Sequence, residues 1–169
     1  DKYLLSATLS SDISSRVGDN AANTIKVGDM PVGIFYSVAG AWRISNEAFL
    51  QDVAWINDLK IRGSWGELGN QNIGTYPYQP TLSNRDYAFG GTVSPGYSAS
   101  GLVDPNLTWE TTRVFDIGVD LTAFNNKLSV TADWFNKYTF DILRGSQVPL
   151  WLGLDAPVIN NGAVRNKGF

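Results

Sequence analysis

The chain has 169 residues, enough for one ordinary domain, with 13 basic and 16 acidic side chains and a formal net charge of −3. This balance gives no indication of a nucleic-acid partner. The sequence has no Cys and no His, which excludes disulfides, thiolate nucleophiles, histidine-dependent catalysis and the common zinc sites. Carboxylates, Lys, Tyr and hydroxyl groups remain for chemistry. Our expectation for the chain is no enzyme activity, no metal and no cofactor.

Amphipathic segments alternate along the chain with segments rich in turn residues. Alternation of apolar and polar residues predicts an all-β chain with strands at about 2–12, 33–44, 59–68, 108–124 and 127–143, and the start of another near 164–169. A single helical turn is expected at 47–50, after Ser45 and Asn46 as a cap. Both chain ends fall inside strand patterns, so we expect the 169 residues to be a piece of a longer protein.

The strongest pattern surrounds Asn125 and Asn126, which suit a two-residue hairpin turn because Asn tolerates positive φ at little cost. Such a turn sets the register of the two flanking strands. One face then pairs Ala123 with Leu128, Leu121 with Val130, Val119 with Ala132, and Ile117 with Trp134. The opposite face pairs Thr122 with Ser129, Asp120 with Thr131, and Gly118 with Asp133. A slip of one residue would mix the two faces on every rung.

Strand length and loop length separate two interpretations of this pattern. Each arm of the hairpin has about ten residues, longer than the ~5–6 typical of soluble strands and close to the roughly 9–11 that cross a bilayer. The long connections, 13–32, 69–106 and 144–162, all fall at one end of the sheet, which is typical of outer-membrane barrels. We predict antiparallel up-and-down strands forming part of a transmembrane β-barrel. The alternative is a soluble β-rich carbohydrate-binding module, with the apolar faces in a dry core.

Seven motifs in the chain carry a resemblance to a known family. They are DKYLL at 1–5, AWRISNE at 41–47, LKIRGSWG at 59–66, GNQNIG at 69–74, NLTWET at 106–111, FNNKL at 124–128 and NGAVRNKGF at 161–169. These motifs are spread over nearly the whole chain in the family's order, and on them the chain resembles the barrel of SusC/RagA-type TonB-dependent transporters of Bacteroidetes outer membranes. The plug domain and the TonB-engaging segment of that family lie outside these residues.

The resemblance implies a place in the outer membrane, in contact with its lipid. It also implies import of oligosaccharides or peptides, driven by TonB and assisted by a SusD-like surface lipoprotein. The expected partners are therefore that lipoprotein, TonB through other parts of the full chain, and the imported ligand.

Two groups of residues are candidates for the functional site. In the long loops, aromatic rings could stack on a ligand or equally pack the loops themselves; they are Tyr76, Tyr78, Tyr87, Phe89, Tyr97 and Trp151. On the polar face of the hairpin we expect lumen-facing positions for Asp116, Asp120, Thr131 and Asp133. The three carboxylates could hold calcium or a sugar, or serve as a glycosidase pair, but a solvated lumen wall is the simpler interpretation.

Overall fold

A computed structural model describes residues 1–18, 20, 21, 24–28, 30–51 and 53–169. Along these residues the strands are, in chain order, β1 (Tyr3–Ile13), β2 (Thr24–Val27), β3 (Met30–Arg43), β4 (Ile56–Asn70), β5 (Leu82–Asn84), β6 (Tyr87–Phe89), β7 (Thr92–Ser94), β8 (Tyr97–Ala99), β9 (Glu110–Ala123), β10 (Leu128–Phe140), β11 (Leu143–Gly145), β12 (Val158–Asn160) and β13 (Ala163–Gly168). Three-residue 3-10 turns lie at Ile44–Asn46 and Leu150–Leu152. Within these ranges, no helix is long and apolar enough to cross a membrane.

One antiparallel sheet contains the six predicted strands in the order β1-β3-β4-β9-β10-β13, with β2 paired to β3. Each of these strands therefore pairs with the next predicted one along the chain, and their ends lie within three residues of the predicted bounds. The helical turn expected at 47–50 is displaced to Ile44–Asn46. Residues 47–50 instead form a turn, in which the Leu50 N–H donates to the Glu47 carbonyl at 3.1 Å.

The hairpin register is confirmed on every predicted rung, from Ala123 opposite Leu128 to Ile117 opposite Trp134. Asn125 and Asn126 have φ of 55° and 65°, and Phe124 before them has φ of 56°. Positive φ at the two central positions is the geometry of the tight hairpin turns that match strand twist. The turn therefore fixes which side chains share a face over the whole of β9 and β10.

Short hairpins occupy the segments that the sequence predicts as loops. In the longest predicted loop, 69–106, β5 pairs with β8 and β6 pairs with β7. At the following predicted loop, 144–162, β11 pairs with β12. Gly90 and Gly91 connect β6 to β7 with φ of 56° and 84°, a region that glycine enters without strain. Three-residue strands are too short to show alternation, so sequence periodicity does not reveal them. In the first predicted loop, residues 19, 22, 23 and 29 lie outside the described residues.

The long strands form a single layer in the part of the chain that the structure describes. Their apolar face is open, with Leu5 83% and Val130 45% exposed. The buried cluster is small: Val17, Phe35 and Trp109, with Ala21 packed against it. The dry core between two sheets that a soluble module requires is therefore not formed by these residues.

At the long-loop end, three loop segments are tied to one another. The Asn160 side chain accepts a hydrogen bond from the Thr108 N–H at 2.8 Å and donates to the carbonyls of Thr108 and Asp141 at 2.9 and 2.8 Å. The Gly18 N–H donates to the Leu107 carbonyl at 2.9 Å, and Leu107 is fully buried. These bonds fix the loop bases on the sheet.

At the opposite end, Glu47 joins the start of β1 to the end of β3. Its carboxylate accepts hydrogen bonds from Trp42 Nε1 at 3.1 Å, the Tyr3 hydroxyl at 2.9 Å and Lys2 Nζ at 3.1 Å. Three donors favour the ionised form, so the indole of Trp42, then Tyr3 and Lys2, hold the pKa of Glu47 below its ordinary value.

Glu47→Gln in the intact protein should therefore lower stability at neutral pH and matter less in acid. A carboxyl group whose pKa falls on folding stabilises the protein above its unfolded pKa, about 4.3, and loses that effect as the pH falls through the lower folded value. Denaturant midpoints of wild type and variant should differ at pH 7 and converge towards pH 3. A difference that is constant with pH would contradict this role for the charge.

Candidate functional site

The polar face of the sheet brings charged side chains of β4, β9 and β10 into adjacent rows. Lys60 lies opposite Asp120, and Asp120 lies opposite Thr131. The next row holds Arg62, Gly118 and Asp133, and the one after it holds Ser64, Asp116 and Phe135. The four polar residues predicted on this face are thus close neighbours.

Arg62 is the centre of an ion-pair network. Its Nη1 lies 3.5 Å from Asp116 Oδ1, its Nε lies 3.3 Å from Asp120 Oδ2, and its Nη2 is bonded to Asp133 Oδ1. Lys60 Nζ adds a contact of 2.9 Å to Asp120 Oδ2. Two positive and three negative side chains are therefore held in one patch. All five side chains are partly exposed.

This pairing changes the chemistry available to the three aspartates. A calcium ion needs carboxylate oxygens turned towards a shared centre, whereas here they surround a guanidinium. Within the described ranges, no group of three or more His, Cys, Asp or Glu is placed to hold a metal. The patch can instead offer donors and acceptors in fixed positions to a polar ligand.

Gly118 makes room for the network. A Cβ at this position would overlap Asp133 Oδ1 and would lie 2.8 Å from Arg62 Cζ. Gly118 lies between Arg62 and Asp133 in the same row, so its lack of a side chain lets the guanidinium of Arg62 reach across β9 to Asp133. Here glycine serves as space and not as a turn residue, since it lies inside a strand.

The sequence reasoning missed the partnership of Lys60 and Arg62 with the aspartates. Alternation puts Lys60 and Arg62 on the same face of their strand, but it does not show which hairpin residues lie opposite them. The adjacency of β4 and β9 could be predicted, because neighbouring strands of an up-and-down sheet pair in sequence. Their register could not be predicted, because a long connection separates the two strands.

Beside the network, small side chains leave two shallow recesses on the polar face. One, of about 280 Å³, is lined in part by Ser6, Ala39, Ala41 and Arg62. The other, of about 400 Å³, lies further towards the long loops and has Ser37 in its lining. Short side chains next to fixed charges leave space that a ligand can occupy.

The structure divides the six candidate loop aromatics among four segments of the loops. Tyr76 and Tyr78 have ring centroids 6.4 Å apart, and Tyr87 and Phe89, both on β6, are 5.0 Å apart. Two further candidates are strongly exposed: Tyr97 on β8, at 73%, and Trp151 in the second 3-10 turn, at 84%. Ring contacts within two pairs show that part of this set packs on itself, while several faces remain open to a ligand.

A single-layer sheet with one open apolar face, one polar face and long loops at one end defines a segment of β-barrel wall. A family model described as TonB dependent receptor-like, beta-barrel matches residues 1–169. The chain belongs to this family.

The similarity to known proteins covers nearly the whole chain. TonB-dependent receptor P26 of Formosa agariphila is 32% identical over 169 residues, which are 100% of this chain and 16% of that protein. TonB-dependent receptor SusC of Bacteroides thetaiotaomicron is 34% identical over 177 residues, again 100% of this chain and 16% of the relative. In the structure of the RagAB peptide transporter, a chain superposes with a TM-score of 0.81 at 31% identity, covering 99% of this chain and 17% of that one. The chain thus spans about a sixth of the length of these relatives.

Gly118→Ala should disturb the network and lower stability by about 1–3 kcal/mol, because overpacking forces neighbouring groups to shift. Gly63→Ala is the matched control, since Gly63 is also inside a strand but its added Cβ would meet nothing closer than 3.7 Å. Denaturant unfolding of the refolded intact protein measures both. Equal effects of the two substitutions would contradict the space-making role of Gly118.

Proposed function

We propose that this chain is part of the wall of an outer-membrane barrel that imports nutrients, oligosaccharides or peptides, with energy from TonB. In this proposal the protein is a transporter and not an enzyme. The apolar face of the sheet contacts outer-membrane lipid and the polar face lines the lumen. A SusD-like lipoprotein covers the long-loop end, and TonB acts through other parts of the full chain.

The open apolar face is the observation that carries this proposal. The strands β1, β3, β4, β9 and β10 have 11, 14, 15, 14 and 13 residues, which suffices for a tilted bilayer crossing of roughly 9–11 residues. The apolar faces of β1, β3, β9 and β10 are largely exposed, and each pair of neighbouring strands in the sheet is hydrogen-bonded. A bilayer accepts such a face because the backbone groups between neighbouring strands are paired and mostly apolar side chains meet the lipid.

The polar face and the long loops supply a route for a polar ligand. The network around Arg62, the recesses beside it and the exposed rings of the loops lie on surfaces that the bilayer does not cover in this arrangement. Long loops on a rigid scaffold are where recognition tends to be located. The similarity to a chain of the RagAB peptide transporter supports peptide as one ligand class. Oligosaccharide is the other class that the resemblance to SusC/RagA-type transporters implies.

Val130→Arg should impair barrel assembly more than Thr131→Arg. These neighbours lie on opposite faces of β10 and are both β-branched, so strand propensity does not separate them. An Arg on the lipid side costs roughly 2–4 kcal/mol at the midplane and less towards the short-turn edge, where Val130 lies opposite Leu121, whereas a lumen position can hydrate it. Folded yield in the outer membrane and denaturant stability of the intact protein measure the difference.

A single cysteine carrying a fluorophore at position 130 or 131 tests the same face directly. Brominated acyl chains should quench the label at 130 and leave the label at 131 unaffected. Quenching only at 131 would reverse the face assignment. Quenching at neither would remove the membrane assignment.

Removal of residues 82–99 should weaken uptake while the barrel still assembles. Leu82 pairs with Ala99, so a short Gly-Ser linker can join the ends, and the contact between Ser100 and Asp155, 3.3 Å from O to N, is kept. A second variant, Tyr87→Ser with Phe89→Ser, keeps the hairpin and removes two exposed rings. Uptake of the natural ligand at the wild-type rate by the deletion variant would show that binding lies elsewhere.

A further inference from the structure

Charged residues on the apolar face are confined to one end. Over the six long strands this face carries Glu67, Arg113, Arg165 and Lys167, and they fall in two neighbouring rows. Arg113, Tyr138 and Arg165 share one row, and Asn136 and Lys167 share the next. From these rows to the short turns, the face presents only uncharged side chains on the same strands.

The two arginines of this face, Arg113 and Arg165, flank a stacked pair of aromatic rings. The Tyr138 and Phe140 centroids are 5.5 Å apart at an interplanar angle of 25°. The Arg113 Cζ lies 5.5 Å from the centroid of Phe140, and the Arg165 Cζ lies 4.7 Å from that of Tyr138. Guanidinium groups over ring faces are oriented by the rings and keep N–H groups available at their edges.

The charge of this patch is only partly neutralised. Arg113 pairs with Glu67 through Nε at 2.6 Å and Nη2 at 2.5 Å. For Arg165 and Lys167, both exposed, no ion pair occurs within the described part of the chain. Within the described residues, Arg165 and Lys167 therefore leave two unpaired positive charges at this end of the apolar face.

The height of the patch matches the edge of a bilayer. Arg113 and Ala123 are ten residues apart along β9. At about 3.3 Å per residue and a tilt of about 40°, this corresponds to ~25 Å along the barrel axis, the height of a typical apolar band. A recess of about 360 Å³ adjoins the patch and is lined in part by Tyr36, Glu67, Arg113 and Phe140.

We propose that Arg165 and Lys167, together with Arg113, bind the phosphate of an anionic lipid in the leaflet next to the long loops. This inference rests on the proposed function, because it requires the apolar face to lie in a membrane. The occupant is a lipid because the cations continue a surface that fits acyl chains. Its head group carries phosphate because the guanidinium of Arg165 and the ammonium of Lys167, which have no counter-ion among the described residues, are the complement of that charge.

The test is native mass spectrometry of the intact protein in detergent, titrated with dioleoyl phosphatidic acid and, separately, with dioleoylglycerol, which has the same chains and no phosphate. The wild-type protein should bind dioleoyl phosphatidic acid more tightly than dioleoylglycerol. The double variant Arg165→Gln, Lys167→Gln should lose about tenfold in apparent affinity for it, since each lost contact is a charge-assisted hydrogen bond. Exchanging the cations, Arg165→Lys with Lys167→Arg, should retain most of the binding.

The matched control is Lys127→Gln with Lys137→Gln, which removes the same charge from the hairpin turn and from the polar face. It should bind as wild type does. An equal loss in this control, or no loss in the Arg165 and Lys167 double Gln variant, would overturn the site.

Membrane insertion and uptake by the same proteins separate this inference from the proposed function. Insertion and uptake without preference for phosphatidic acid would overturn the lipid site alone. A wild-type protein that does not insert would overturn both.

Discussion

The backbone ladder that joins β4, β9 and β10 is the constraint on which the other features depend. Side chains alternate between faces with a period of two, so one register decides both the apolar band and the ion-pair network. The ladder contains one irregularity, between Ile56 and Asp58 of β4. Without it, Ile56 would share a face with Asp58 and Lys60. The bulge turns Ile56 towards Ala123 and leaves Asn57 to accept a hydrogen bond from the Asn126 N–H at 3.3 Å.

The ion-pair network positions charged side chains on the polar face and contributes little to the free energy of folding. Its side chains are 27–37% exposed, and partly solvated pairs of this kind contribute little, typically about 0–1 kcal/mol each. The network nevertheless fixes Arg62 among three carboxylates, so the wall presents a defined arrangement of donors and acceptors. The network also depends on Gly118, because the guanidinium of Arg62 needs a strand position without a side chain beside it. The polar face of the wall therefore presents these charges as a paired group.

The parts of the structure that could be predicted from the sequence are those fixed by local patterns, namely alternation within a strand and the residues of a tight turn. The Asn125–Asn126 turn sets its own register, so every rung of the β9–β10 hairpin followed from alternation and turn chemistry alone. The pairing of Arg62 with the aspartates did not follow, because loop length does not set register between β4 and β9. The short hairpins β5–β8 and β6–β7 depend on three-residue strands, for which periodicity carries no signal. The loop aromatics were recognisable by composition, but which rings meet, as Tyr87 and Phe89 do, depends on those unseen hairpins.

The two ends of the apolar face differ in chemistry, and this difference gives the wall a direction. At the short-turn end, Trp55 stacks on Phe124 with centroids 5.8 Å apart, and Trp42 donates to a Glu47 that Lys2 also neutralises. Aromatic rings with a polar tip suit an interface without demanding a charged partner. At the long-loop end, Arg165 and Lys167 keep their charge without a counter-ion from the described residues. A symmetric bilayer would give no reason for this asymmetry, whereas a leaflet rich in anionic head groups at the long-loop side would stabilise the wall in one orientation only.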